Sequence, residues 1–157
     1  MGTRWLPLAG GAVMTRRGWE LLAASLSLGA GVAHSMVMPE HQLEWWGYGA
    51  FFMVATLAQT SYAIVLFLQP WHAPADRREE RGVGTARLVY AAGIVGNLAI
   101  IGLYLVTRTI GVPVFGPEAR KVEEVTTISV VSKLLELGLI YCLVRAAQLS
   151  PATVEDQ

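Results

Sequence analysis

Formal charge is missing from long stretches of this chain. Positions 21–39, 45–75 and 88–107 contain no Asp, Glu, Lys or Arg, and 125–144 is interrupted only by Lys133 and Glu136. An α-helix needs roughly 20 apolar residues to cross about 30 Å of hydrocarbon. All four runs reach or approach that length, and they are apolar on every face rather than striped, which suits burial in lipid better than a soluble core. The sequence therefore predicts an all-α fold, an integral membrane four-helix antiparallel bundle forming one domain over 1–157. The expected helices cover about 19–38, 40–68, 87–107 and 124–145, with a connector at 69–86 and a polar tail at 146–157. Charged residues make up only 15% of the chain and mean hydropathy is +0.46, against a usual charged fraction of about 25% in soluble domains.

Basic residues translocate reluctantly, so their distribution sets the expected orientation. With the N-terminus inside, Arg4, Arg16, Arg17, Arg77, Arg78, Arg81, Arg87 and Arg145 are cytoplasmic, while Arg108, Arg120 and Lys121 are outside. Both termini are then cytoplasmic and the expected location is the plasma membrane, crossed several times. The weak apolar patch at 5–14 precedes Arg16 and Arg17 instead of following a basic start, so it reads as a leader on the membrane surface, not a cleaved signal.

Several function classes fall away. Twelve basic residues balance twelve acidic ones, which leaves no basic surface for nucleic acid. The lone Cys142 excludes an intrachain disulfide framework and a thiolate zinc site. No nucleophile elbow, phosphate-cradling glycine loop or zinc-protease histidine pair is present, and no catalytic residue is assigned.

Lipid tails give helices no hydrophobic reason to associate, so close approach through small residues must supply the contact. Helix one offers Ser25, Gly29 and Ala33, and beside them Ser27, Gly31 and Ser35. Helix three offers Ala92 and Gly96, next to Gly93 and Asn97. At depth, Gln59, Asn97, Lys133 and Glu136 form a candidate intramembrane polar network. A charge there costs about 2.5–3.5 kcal/mol on insertion scales and needs a partner, and Lys133 and Glu136 at i, i+3 can pair.

The turn AHSMVMPEHQLEWWGYGAFF (33–52) is the richest segment. Proline is tolerated in the first turn of a helix, so Pro39 is expected to open helix two, with Glu40, His41 and Glu44 in its first turns, and carboxylates there suit the positive end of the helix dipole. His34 then lies at the outer end of helix one, facing them across the turn. Imidazole and carboxylate from adjacent helices are how bundles build metal sites. The expectation is an extracytoplasmic cation site for copper, iron or zinc formed by His34, His41 and Glu44, completed or oriented by Glu40 or Glu124. Arg108, in the loop RTIGVPVFGPE, is expected to bridge to Glu40 or Glu44 or to lipid phosphate. The rings of Trp45, Trp46, Tyr48, Phe51 and Phe52 mark the outer interface and double as a lining for an apolar ligand such as a quinone.

The PEH-x-x-EW turn and the VTRT-x-G-x-P loop, together with Glu136 in helix four, resemble a group of small four-helix bacterial membrane proteins of actinobacterial type. The resemblance spans about 34–136, and Ser129 stands where that group carries an aspartate. It implies the topology and singles out His34, Glu40, His41, Glu44, Asn97, Arg108 and Glu136, without an activity. Three functions therefore compete: metal handling at the outer face; an accessory or assembly subunit of a larger membrane complex, or a homo-oligomer; and a quinone- or haem-binding redox protein. Haem ligation by His34 and His41 would need both rings to converge on one iron across a short turn.

Overall fold

The computed structural model describes residues 14–72, 79–112 and 116–149. Most of the proposed leader at 5–14 and most of the polar tail lie outside them. The described residues form four helices, α1 (Arg16–Glu44), α2 (Trp46–Leu68), α3 (Glu79–Thr109) and α4 (Thr127–Gln148), with a short 3-10 turn at Pro70–His72. All four are long and apolar enough to cross a membrane. Helix α1 packs against α2 and α4, while α3 packs against α4 and the 3-10 turn.

Burial recurs at helical spacing. On α1, residues 20, 24, 27, 31 and 34 are buried, flanked by 23, 30 and 33; on α4, 132, 136, 139, 143 and 146, flanked by 142; on α3, 86, 90, 93 and 97. Alternating steps of four and three keep one seam facing its neighbour in a left-handed crossing of about 20°. Small residues set the approach, and both rows on α1 contribute, since Ala33 is buried and a Cβ on Gly29 would sit 3.3 Å from Leu135 Cδ1. A Cβ on Gly31 would sit 3.2 Å from Thr60 Oγ1 and 3.4 Å from the Thr56 carbonyl, so α1 and α2 meet there almost backbone to backbone. On α3 the close approach is at Gly93, where a Cβ would run into the Tyr62 phenol. Ser25, Ala92 and Gly96 are not part of these seams: Ser25 and Ala92 are exposed and Gly96 faces open space.

The helix boundaries correct the sequence expectation at the most informative segment. Helix α1 does not stop at 38; it runs through Pro39 to Glu44. An interior proline removes one backbone bond but need not end a helix that neighbours support. The corner is a single extended residue, Trp45 (φ −166°, ψ 136°), whose N–H still bonds the His41 carbonyl at 3.1 Å. It closes because Gly49 leaves room for the Gln42 side chain, which a Cβ would strike. Glu40, His41 and Glu44 thus belong to the C-terminal turns of α1, not to the start of α2, and the dipole argument made for Glu40 does not apply. Helix α3 likewise starts at Glu79, inside the stretch expected as connector, and α4 at Thr127, which leaves Glu124 in the preceding loop. Thr126 and Ser129 close a capping box at the start of α4.

Candidate functional site

The buried seam of α1 carries three polar residues spaced by seven, Glu20, Ser27 and His34, which a rise of 1.5 Å per residue places about 10.5 Å apart. Each is the hub of a cluster. Glu20 Oε1 accepts from Arg16 Nε (3.1 Å), Trp71 Nε1 (3.1 Å) and the Tyr90 hydroxyl. Ser27 donates to Gln59 Oε1 at 2.7 Å, and Gln59 Nε2 donates to Asn97 Oδ1 at 3.0 Å; Asn97 returns its amide N–H to the Gly93 carbonyl at 2.7 Å. His34 Nε2 meets Glu136 Oε1 at 3.0 Å, and Glu136 also accepts from Ser132 (3.1 Å) and from Lys133 Nζ (2.7 and 2.6 Å). The side chains of His34, Glu136 and Lys133 are 5%, 0% and 13% exposed, so this last cluster is a desolvated cation–carboxylate–imidazole group.

It lies beside a cavity of about 690 Å³ among all four helices, at the end where α1 turns into α2. His34, Ile100, Ser132 and Lys133 mark its deep end by their positions along the helices. Part of its wall is aromatic, from Trp45, Tyr48, Phe51, Phe52 and Tyr104, and Glu40, His41, Glu44, Arg108 and Glu124 also line it. The Phe52 ring lies 5.9 Å from His34 and 4.5 Å from His41. Tyr104 has two cations near its ring, the Arg108 guanidinium at 5.1 Å and the Lys133 ammonium at 5.5 Å. Beyond it, the loop after α3 folds back: Glu123 N–H bonds the Thr107 carbonyl at 3.2 Å, Glu118 N–H bonds the Tyr48 hydroxyl at 3.3 Å, and Arg108 pairs with Glu123. Arg108 Nε, also buried, has no hydrogen-bond partner among the described residues.

The residues singled out from sequence are therefore distributed differently from the expectation. The four-residue polar network is two networks, Gln59 with Asn97 and Lys133 with Glu136, recruiting Ser27 and His34 respectively. Arg108 pairs with Glu123, not with Glu40 or Glu44. The proposed cation ligands His34, Glu40, His41, Glu44 and Glu124 all line this one cavity but do not converge: His34 is engaged by Glu136, His41 Nδ1 donates to the Val37 carbonyl at 3.0 Å, and Glu40, Glu44 and Glu124 are exposed. His34 and His41 sit seven residues apart on one continuous helix, beyond the i, i+3 or i, i+4 reach that lets two helical side chains share an ion. Among the described residues no three His, Cys, Asp or Glu side chains come together as metal ligands. Sequence reasoning passed over Glu20, because it borders a charge-free run, and Tyr104 and Ser132, which have no charge to draw the eye.

Comparison with family models, with curated proteins and with solved structures gave no match.

Proposed function

We propose that this chain is a multi-pass plasma-membrane protein, with both termini cytoplasmic, that binds a small amphipathic molecule of quinone-like size and polarity from the outer side of the bilayer. The observation that carries the reading is the cavity, apolar over most of its surface and partly aromatic, with the desolvated His34–Glu136–Lys133 cluster at its deep end. Ligand sites are commonly 300–1,000 Å³, mostly apolar, with a few fixed polar groups to orient what enters, and about 690 Å³ with this lining fits that description. Lipid as the surrounding solvent is supported by the helix surfaces. Val32, Met36, Leu57, Leu88, Val95 and Leu134 are all more than half exposed, and that much apolar surface around every helix suits hydrocarbon, not water. The excess of arginine on one side supports the orientation. A copper, iron or zinc site is the less favoured reading, because its expected ligands stand apart.

Saturable quenching of tryptophan fluorescence by a short-tailed quinone in nanodiscs tests this reading. Trp45 lines the cavity, so quenching should saturate at micromolar quinone and lose its saturable component in Trp45→Phe, which removes the reporting ring. Quenching that rises without saturation, equally in both proteins, is membrane partitioning and refutes it.

A further inference from the structure

The hydrogen bonds around Glu136 fix more than a position; they fix which nitrogen of His34 carries the proton. Lys133 Nζ lies 2.7 and 2.6 Å from the two Glu136 oxygens, and Ser132 donates to Oε1 as well. An ammonium has donors and no acceptor, and an ionised carboxylate has acceptors and no donor. Taken as an ammonium and an ionised carboxylate, Lys133 and Glu136 are neutral together. His34 Nε2 meets the same Oε1 at 3.0 Å. Two lone pairs facing each other at that distance would repel, so the ring nitrogen is the donor. In a neutral imidazole the other nitrogen is then an acceptor. His34 Nδ1 makes no hydrogen bond among the described residues, while the ring is 5% exposed and lines the cavity. That nitrogen is an acceptor without a protein donor on a residue of the cavity wall, and the carboxylate behind the ring makes its lone pair a better acceptor.

We infer that the cavity takes a ligand whose head group donates a hydrogen bond, a phenol or hydroquinone hydroxyl, to His34 Nδ1. The inference rests on the cavity being a ligand site and adds the polarity of what enters. A quinone carbonyl or an ether offers only lone pairs and leaves Nδ1 unsatisfied. A hydroxyl satisfies it, and its aromatic ring lies among Phe52 and Tyr104. The deep end therefore discriminates donor from acceptor among molecules of equal size and hydrophobicity.

Two probes differing in one proton test it: 4-nonylphenol and 4-nonylanisole, titrated calorimetrically into the protein in nanodiscs with empty nanodiscs subtracted. The phenol is expected to bind at least tenfold more tightly, and in His34→Phe, which keeps a ring of similar size, its affinity should fall to that of the ether. Nitrogen-15 spectra of histidine-labelled protein without ligand should show His34 protonated at Nε2 and bare at Nδ1. Equal affinities, tighter binding of the ether, or a ring protonated at Nδ1 at neutral pH overturns the inference and leaves the cavity reading standing. If neither probe binds saturably, and the short-tailed quinone does not either, the cavity reading falls and this one with it. Should His34→Phe not fold, the probe pair and the spectrum on the unaltered protein still decide.

Discussion

Replacing Glu136 by leucine removes the acceptor of four contacts at once: His34 at 3.0 Å, Ser132 at 3.1 Å and both approaches of Lys133. Ser132 can turn its hydroxyl to its own helix backbone, and a neutral histidine can change tautomer. Lys133 has no such exit, being 13% exposed beside an apolar wall. Breaking a buried pair by deleting one partner costs about 3–5 kcal/mol, because the survivor stays charged and unpaired. Lys133 borders the cavity, so the lower end applies, about 3 kcal/mol for Glu136→Leu, or roughly a 150-fold shift in the unfolding equilibrium. Lys133→Met with Glu136→Leu removes the stranded charge. Buried pairs replaced by apolar residues of similar volume are often neutral or better, so the double variant should lie within about 1 kcal/mol of the unaltered protein. Denaturation by SDS in mixed micelles, followed by circular dichroism, measures both. A single variant no less stable than the double one would show that Lys133 and Glu136 are not coupled, and would remove the charge assignment on which the His34 tautomer rests.

Two further outcomes test the fold. Pro39→Ala should raise stability by about 1–3 kcal/mol in the same denaturation, because an interior proline is about 3 kcal/mol worse than alanine; a neutral or destabilising result would place Pro39 at a helix start. Gly93→Ala should cost about 1–3 kcal/mol by overpacking against Tyr62, whereas Gly96→Ala, three residues on and facing open space, should be neutral or slightly stabilising. Equal responses at the two glycines would contradict the close approach of Tyr62 to Gly93.

The apolar runs were readable because the thickness of hydrocarbon sets a length requirement that four stretches meet. The corner between α1 and α2 was not, because Pro39 announces only a missing N–H, while the real stop depends on Trp45 going extended and on space at Gly49 for Gln42, both tertiary facts. That one boundary moved the candidate site. With α1 ending at 38, His34 sits at the rim; with α1 ending at Glu44 it lies ten residues from the end, about 15 Å down the helix, among buried partners. That Gln59, Asn97, Lys133 and Glu136 lie inside the helical segments was legible. Their relative depth was not: the first two join Ser27 and the last two join His34, hubs about 10.5 Å apart along α1. Arg108 was placed at the correct end, but its partner depends on how the loop returns. The Thr107–Glu123 backbone bond brings Glu123 alongside it, and no spacing rule foretells that bond.

The even spacing of Glu20, Ser27 and His34 works as a set of keys cut into one helix. Apolar seams alone tolerate sliding, since one alanine or leucine packs nearly as well as the next, and lipid gives no preference for any axial position. A slip of α1 by one turn, about 5.4 Å, falls between the teeth and separates all three hubs from their partners simultaneously. A slip of a full seven residues brings a hub level with the wrong lock, a hydroxyl facing Glu136 or an imidazole facing Gln59. Each mismatch costs on the order of 0.6–2 kcal/mol in a membrane setting, and the three arrive together. The chain thereby gains a single axial register from bonds that add little to its total cohesion.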